Sequence, residues 1–430
     1  MALAWINGIP TGRPLSDEEP GGFCPPSGLA ARFGAVRRRS LLLAEPLSIE
    51  DMIPQADPDC SPVKWHLAHT TWFFDRLVLR ARGWSPAPAG RFDEVCNSYY
   101  VSLGPRSRRD ARGLLSRPGV AEVLAYRQQV DEAMERACAA AAEDPALAAL
   151  IELGLHHEEQ HQELLLADVL ALFALNPLAP GYLPAPAQEP AASPPPPLRF
   201  APCKGGLQEL GALAHGFAFD NERPRHRTYL APFALADRLI SNAEWQAFVE
   251  DGGYRAPHLW LSDGWAAVEA RGWTGPAYWR ERDGELLEFS LLGERPRLPQ
   301  APVRHISFYE AEAFARWAGK RLPTEAELEL AGPDPAGEGF ATLADLARAL
   351  IEPQPGAGVW QWTASAYRPY PGFQPLEGPA AEYNGKFMSN QMVLKGACFA
   401  TPRGHARRTY RNFYYPHQRW MFSGVRLAEG

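Results

Sequence analysis

Residues 177–197 read PLAPGYLPAPAQEPAASPPPP, with nine prolines, and this stretch divides the chain. Proline lacks a backbone N–H and fixes its own backbone angle, so such a segment neither continues a helix nor joins a central strand. We therefore predict a semi-rigid linker between two domains, or an extended strap along their surface. The 430-residue length independently favours two or three domains. The predicted boundaries are 28–176, 177–198 and 199–428.

The first of these parts, residues 28–176, has the apolar periodicity that is typical of amphipathic helices. Ser61-Pro62 predicts a helix start, with a capping serine and a proline at the first helical position. We predict three other helices: one upstream that runs through residues 41–43, one at about 120–141 and one at about 145–175. Four such helices favour an up-and-down bundle.

The last part, residues 199–428, has short apolar runs separated by glycine, proline and aromatic residues. The runs that we predict as strands are 217–219, 227–230 and 392–394. Short helices are predicted at 241–250 and 309–318, and Thr324 should cap another helix, with Glu327 completing a capping box. This pattern predicts an irregular α+β domain rich in loops.

Composition excludes several classes of protein. A formal charge of −7 argues against binding to nucleic-acid phosphates. Six scattered cysteines without a C-x-x-C pair indicate neither a disulfide framework nor a zinc ribbon, and they fit a reducing compartment. No apolar run is long enough to span a bilayer, and the N-terminus lacks the pattern of a signal peptide. We expect a soluble cytoplasmic protein with no membrane or nucleic-acid partner.

The strongest chemical signal is the run HHEEQH at 156–161. Residues four apart lie on one face of a helix, so His157 and His161 present two imidazoles to the same side. His69 lies on the apolar face of its own predicted helix, and a bundle can bring the two faces together. Three imidazoles suit zinc or iron equally well and leave an open coordination side. The alternative is a chance pair of histidines plus a buried core histidine.

Neighbouring residues leave further alternatives open. His66 and His156 fall off the predicted ligand stripe and are expected to bind other side chains. The run also matches His-Glu-x-x-His, the zinc metalloprotease signature, with Glu158 as the base. Because no suitable third ligand follows, we disfavour a protease. The sequence does not decide whether Glu158 or Glu159 orients a ligand imidazole.

Polar and aromatic groups outside the helices suggest substrate binding. The pair Tyr99 and Tyr100 could donate a proton to reduced dioxygen near a metal, or could simply pack. The arginines that follow could bind a carboxylate in a bidentate way, or form a solvated face. Asn412 lies among aromatic residues, which would suit a quaternary ammonium group through cation–π contact, or core packing.

Taken together, these motifs resemble those of the ergothioneine sulfoxide synthases, and the resemblance covers residues 28–428. The matching stretches are 61–74, 97–100, 157–164, 219–226, 321–327, 360–363 and 410–413. The resemblance implies an α+β multidomain fold, with an N-terminal DinB-like four-helix bundle and a C-terminal formylglycine-generating-enzyme-like (C-type-lectin-like) domain. It places the active site between the two domains.

The resemblance also implies a reaction and its metal. Members of this family join a thiol to the imidazole carbon of hercynine (Nα-trimethylhistidine), using dioxygen, and oxidise the sulfur to a sulfoxide. By resemblance, His69, His157 and His161 bind non-haem iron(II), and Tyr99 or Tyr100 supplies a proton.

The same resemblance assigns residues to the substrates. Gln160 and Asn412 match positions that hold the betaine, and Phe413 lies beside its ammonium group. Arg106 and Arg109 match the pair that binds the carboxylate of the thiol substrate.

Departures from the family bear on the sulfur donor. Tyr414 stands where members that use γ-glutamylcysteine carry aspartate, so we favour free cysteine. Leu328 and Cys398, in the run Gly-Ala-Cys-Phe at 396–399, also differ from the usual pattern. These differences leave open a selenoneine-type paralogue that joins a selenium donor, such as a selenosugar, to hercynine. A DinB-like metal-dependent thiol transferase that needs no oxygen, and a non-enzymatic binding module, are further alternatives.

Overall fold

The structure is a computed structural model that describes residues 28–87, 90, 92–184, 191–354 and 356–430. Part of the proline-rich linker therefore lies outside the described residues. The described linker residues on its C-terminal side, 191–198, form no helix or strand and are largely exposed to solvent.

The N-terminal part is a helical bundle. Its helices are α1 (Leu29–Ala44), α2 (Val63–Phe73), the short α3 (Asp93–Cys96), α4 (Val120–Ala140) and α5 (Pro145–Ala174). A π-helical segment, Phe74–Leu79, continues α2. The predictions of helices at 120–141 and 145–175 are confirmed.

Helix α2 is buried along its whole length. Helices α4 and α5 pack against it and its continuation, and α1 contacts both through Phe33, whose ring lies 5.1 Å from that of Phe74, and Arg37, which donates to Thr71. Gly154 of α5 allows this helix to pack closely against the continuation of α2. A Cβ atom at that position would lie 2.5 Å from Cε1 of Phe74, so any larger residue would push the helices apart. This close contact lies beside the turn of α5 that carries its histidines.

The predicted helix cap at Ser61 is wrong by one position. Pro62 is the residue that precedes the first helical turn, and Ser61 makes no capping hydrogen bond. The Ser61 N–H instead donates to Oδ2 of Asp168 at 2.7 Å, and its hydroxyl accepts from Arg112 at 2.9 Å. Tertiary partners therefore use the polar groups that would otherwise cap the helix.

The C-terminal part contains four small sheets among long loops. Its strands are β1 (Phe200–Cys203), β2 (Gly206–Leu210), β3 (His226–Leu230), β4 (Phe233–Ala236), β5 (Trp279–Arg282), β6 (Glu285–Ser290), β7 (Gly293–Pro296), β8 (Trp360–Ala366), β9 (Met392–Gly396), β10 (Asn412–Tyr414), β11 (Ser423–Gly424) and β12 (Ala428–Glu429). The sheet orders are β1-β4-β12, β2-β3, β5-β6-β7 and β10-β9-β8-β11. In the last sheet β10 pairs antiparallel with β9, and Phe413 lies opposite Val393.

Helices connect and cover these sheets. They are α6 (Asn242–Glu250), α7 (Ser262–Arg271), α8 (Phe308–Trp317), α9 (Glu325–Ala331) and α10 (Leu343–Ile351). The predicted helices at 241–250 and 309–318 are confirmed, as is the capping box, in which the Thr324 hydroxyl accepts from the N–H of Glu327 at 3.2 Å.

Two of the three predicted strands are confirmed, since 227–230 lies in β3 and 392–394 in β9. The third prediction, at 217–219, is wrong. Phe217 stacks on His156 at 3.8 Å between ring centroids, and Phe219 packs on Tyr383 and Tyr410. This apolar run therefore serves the contact between the domains and joins no strand.

The two parts share one continuous hydrophobic core, and polar side chains of α5 reach across the contact. Glu163 accepts hydrogen bonds from Trp360 Nε1 at 2.7 Å and from the Thr401 hydroxyl at 2.5 Å. Asp168 accepts one from Trp420 Nε1 at 2.9 Å. Among the described helices, none is long and apolar enough to cross a membrane.

Candidate metal centre and substrate cavity

Helices α2 and α5 bring three histidines together, as their spacing predicts. The candidate ligand atoms of His69, His157 and His161 all lie within 4.8 Å of one another. Nε2 of His69 lies 3.1 Å from Nε2 of His157. His157 and His161 are one turn apart on α5, which is why a single helix supplies two of the three imidazoles.

Hydrogen bonds show which ring nitrogens are available. The Nδ1–H of His69 donates to the carbonyl oxygen of Cys96 at 2.6 Å, so its Nε2 carries the lone pair. Nδ1 of His161 contacts Nδ1 of His66 at 2.8 Å, which again leaves Nε2 available. Within the described part of the chain, the buried Nδ1 of His157 has no partner, while its Nε2 faces that of His69. Each of the three rings therefore has its Nε2 available to bind a metal ion.

The surroundings keep these imidazoles neutral. Burial lowers the pKa of all three histidines, and it lowers that of His157 to about 3. A neutral imidazole keeps the lone pair that a metal needs. The donor set thus fits a divalent metal ion with three nitrogen ligands and open positions.

Aromatic stacking fixes the orientation of His69. The Trp65 ring lies parallel to the His69 ring, with centroids 4.6 Å apart, and the guanidinium of Arg112 lies 3.4 Å from the Trp65 centroid. Arg112 donates to the hydroxyls of Ser61 and Ser98, and burial lowers its pKa to about 9. The wall behind the histidines is therefore rigid.

A cavity of about 630 Å³ lies between the two domains and opens on the histidines. His157 and His161 line it, and His69 lies behind them. The other predicted site residues on its wall are Tyr99, Gln160, Arg106, Arg109, Asn412 and Phe413. Tyr100 is fully buried behind the wall, with its hydroxyl 3.5 Å from that of Tyr99. The structure thus brings most of the predicted residues to one cavity.

Gln160 is held by two tyrosines of the C-terminal domain. Its amide nitrogen donates to the Tyr410 hydroxyl at 2.7 Å, and its amide oxygen accepts from the Tyr383 hydroxyl at 2.5 Å. The Tyr383 ring also packs on His157 at 5.7 Å between centroids. Sequence reasoning missed Tyr383 because it lies in a loop without periodicity or motif, and it included Tyr410 only as part of an aromatic cluster.

The strand β10 presents Asn412 and Phe413 to the cavity. The Phe413 ring stacks on Tyr367 at 4.1 Å between centroids, which fixes its orientation, and Phe387 lies 6.0 Å away. Arg106 and Arg109 lie at the exposed mouth, where Arg109 donates to the carbonyl of Asp59. The cavity therefore has a cationic mouth and an aromatic wall.

The two glutamates between the histidines face away from the centre. Glu158 is buried against Arg37, Arg127 and Ser40, at 2.8, 2.5 and 2.5 Å. Burial opposes its ionisation, but the two arginines and the hydroxyl outweigh that effect and lower its pKa to about 2. A carboxylate held in this way cannot serve as the base of a metalloprotease.

Glu159 belongs to a second buried cluster, with His156 and His405. The distances from Glu159 Oε2 to Nδ1 of each histidine are 3.2 Å, but Arg32 donates to Nε2 of His156 at 2.7 Å, and Arg39 lies 3.4 Å from Glu159. Two cations beside the cluster disfavour a second metal ion. The cluster instead links α5 to the C-terminal domain.

Known proteins resemble both halves of the chain. The DinB superfamily model matches residues 32–165, and the sulfatase-modifying factor enzyme 1-like domain model matches residues 198–342. A hercynine oxygenase from Mycolicibacterium smegmatis is 33% identical over 434 residues, which cover 93% of this chain and 98% of that protein. One from Mycobacterium tuberculosis is 32% identical over 94% of this chain and 99% of that protein. Ergothioneine biosynthesis protein 1 of Schizosaccharomyces pombe is 26% identical over 58% of this chain and 33% of that protein.

The chain is an enzyme of the oxidoreductase class, in which a DinB-type helical bundle and a sulfatase-modifying-factor-type domain enclose a histidine centre. It belongs to the hercynine oxygenase family, because the mycobacterial relatives match it over nearly their whole length. The predicted fold class, an α+β multidomain protein with a DinB-like bundle followed by a formylglycine-generating-enzyme-like domain, is thereby confirmed.

Proposed function

We propose that this chain is an iron(II)- and dioxygen-dependent sulfoxide synthase that joins cysteine to hercynine in ergothioneine biosynthesis. The observation that carries the proposal is a cluster of three histidines, two of which line a cavity with an aromatic wall and a cationic mouth. In the balanced reaction, an imidazole C–H, a thiol S–H and O₂ give a C–S bond, one S=O group and one water.

His69, His157 and His161 would hold the iron. When bound there, iron(II) would supply oxygen activation and a binding point for the thiolate. The chain contributes the frame, because Cys96 and Trp65 fix the orientation of the His69 ring.

The hercynine end of the cavity combines polar and aromatic groups. A trimethylammonium group cannot donate a hydrogen bond, so aromatic faces such as Phe413 are its natural contacts. Gln160 and Asn412 offer amide groups for the rest of the betaine. Because Tyr383 and Tyr410 already hold the Gln160 amide, this contact is preorganised.

Two phenols are candidates for the proton that reduced oxygen needs. Tyr99 lines the cavity, and Tyr383 also lines it and contacts His157. Burial raises the pKa of both hydroxyls, so each holds its proton at neutral pH. Tyr100 would act through Tyr99, since its hydroxyl lies behind that of Tyr99.

The sulfur donor would enter at the cationic mouth. Arg106 and Arg109 can bind the carboxylate of cysteine, and guanidinium groups favour such bidentate contacts. Tyr414 adds no negative charge at this wall, and this supports a small donor over γ-glutamylcysteine.

The direct test is turnover by the iron-loaded full chain with hercynine and cysteine, with and without oxygen. We expect hercynine to be consumed and a sulfoxide to form only when oxygen is present, with mass spectrometry as the readout. Product formed equally well without oxygen would contradict the proposal and favour a thiol transferase. Turnover with a selenosugar but not with cysteine would identify the selenium paralogue.

Phe413→Leu should raise the KM for hercynine by roughly threefold to thirtyfold, as expected from a lost cation–π contact. The KM for histidine, which lacks the trimethylammonium group, should change much less. Steady-state kinetics with both substrates measures this difference, and Phe200→Leu, on β1 away from the cavity, is the control. An equal rise in KM for hercynine and histidine would show that Phe413 does not recognise the trimethylammonium group.

A further inference from the structure

A chain of hydrogen bonds runs from one candidate metal ligand to the C-terminal domain. Nδ1 of His161 contacts Nδ1 of His66 at 2.8 Å, and Nε2 of His66 contacts Oδ2 of Asp168 at 3.0 Å. Asp168 also accepts from the Ser61 N–H at 2.7 Å and from Trp420 Nε1 at 2.9 Å. His66 and Asp168 are both buried beside the cavity.

The proton positions along this chain of hydrogen bonds are determined by the two groups at its ends, the metal-binding His161 and the carboxylate of Asp168. When Nε2 of His161 binds a metal, its proton sits on Nδ1, which can only donate. His66 must then accept at Nδ1 and carry its own proton on Nε2. That Nε2–H donates to Asp168, and the contacts of Asp168 with Ser61 and Trp420 are also with donors. Every hydrogen bond of the chain is therefore satisfied in one direction only.

We infer that His66 and Asp168 are positioning residues that hold His161 in its Nε2-binding tautomer. The inference rests on the metal centre of the proposed function and not on its substrates. Without an acceptor at His66, the buried Nδ1–H of His161 would lose its partner, and the ring could turn or change tautomer. The acceptor is itself oriented by a carboxylate, as is usual for histidines that bind metals.

This chain of hydrogen bonds also explains two features that the sequence leaves unassigned. His66 lies off the ligand stripe of α2 and yet is buried. Asp168, one of the few charges in the apolar C-terminal turns of α5, is held by a backbone N–H at the start of α2 and by an indole of the other domain. The contact with the C-terminal domain therefore helps to orient His161, a candidate metal ligand that belongs to the bundle.

The test is the affinity of the metal-free full chain for cobalt(II), followed by the visible absorption of the bound ion. His66→Phe keeps a ring but removes the acceptor, and we expect the affinity to fall about tenfold to a hundredfold. His66→Gln keeps an acceptor toward His161 and a donor toward Asp168, so its affinity and spectrum should stay close to those of the unsubstituted protein. Asp168→Asn should give an intermediate loss.

The outcomes separate this inference from the proposed function. Equal cobalt affinities and spectra for His66→Phe and His66→Gln would overturn the positioning role and leave the metal centre intact. Failure of the unsubstituted chain to bind cobalt or iron would overturn both. Thermal melting of the metal-free variants identifies a general folding defect, which would lower the affinities of His66→Phe and His66→Gln together and would also contradict the inference.

Discussion

His161→Ala is expected to abolish stoichiometric iron binding and to lower turnover at least a thousandfold. Removing one of three ligands leaves His69 and His157, and two imidazoles without a carboxylate do not hold a divalent ion well in competition with water. The neighbouring imidazole, His66, is held by Asp168 through its Nε2 at 3.0 Å, so we expect it not to replace the lost ligand. The metal content of the purified protein and turnover with hercynine, cysteine and oxygen measure the effect.

The matched control is His258→Ala, which removes an exposed histidine outside the cavity wall and should leave both values unchanged. Thermal melting of the metal-free protein completes the comparison. Full retention of iron by His161→Ala would refute the assignment of this residue as a ligand, whatever the turnover.

The histidine centre could be predicted from sequence because its signals are local. His157 and His161 are one helical turn apart, and His69 lies on an apolar helical face, so the bundle topology alone brings them together. Helices α4 and α5 were predicted from the periodic spacing of apolar residues along the same part of the sequence. Local spacing thus predicted both the bundle and the helix faces that carry the three histidines.

The cavity wall contributed by the C-terminal domain was only partly predictable. Tyr383 meets Gln160 across 223 positions of sequence, and its loop carries no periodic pattern. Residues 217–219 were predicted as a strand because they form a short apolar run, but Phe217 stacks on His156 of the bundle and Phe219 on Tyr383, and the run pairs with no strand. Such contacts depend on how the two domains dock, which no local pattern encodes.

Glu158, in the HHEEQH run, is another residue whose contacts could not be predicted from local sequence. Sequence motifs suggested a catalytic base or a residue that orients a ligand, and the structure shows a carboxylate enclosed by Arg37, Arg127 and Ser40. The arginines come from α1 and α4, so the role of Glu158 depends on three helices at once. Its function is therefore expected to be structural.

Glu158→Gln should destabilise the protein by about 3–5 kcal/mol, the usual cost of removing one partner from a buried ion pair. Arg127 would lose the anion that it contacts at 2.5 Å, and Arg37 would retain only the partly exposed Asp131. Chemical denaturation followed by circular dichroism measures the loss. Glu152→Gln is the matched control, since this residue lies on the same helix and its pair with Arg32 is partly exposed and should contribute less than about 1 kcal/mol.

The pH dependence distinguishes this structural role from catalysis. Because Glu158 has a pKa of about 2 in the folded protein against an ordinary 4.5, its stabilising contribution is present above the unfolded-state value and is lost as the pH falls through the folded-state value. The gap in stability between the unsubstituted protein and Glu158→Gln should therefore be constant above about pH 5 and narrow as the pH falls toward about 2. If Glu158→Gln were as stable as the unsubstituted protein but inactive, this account would be contradicted and Glu158 would be a catalytic group. If the variant is destabilised but still binds iron at low temperature, the result supports a structural role, in which the carboxylate holds α1, α4 and α5 around the histidines.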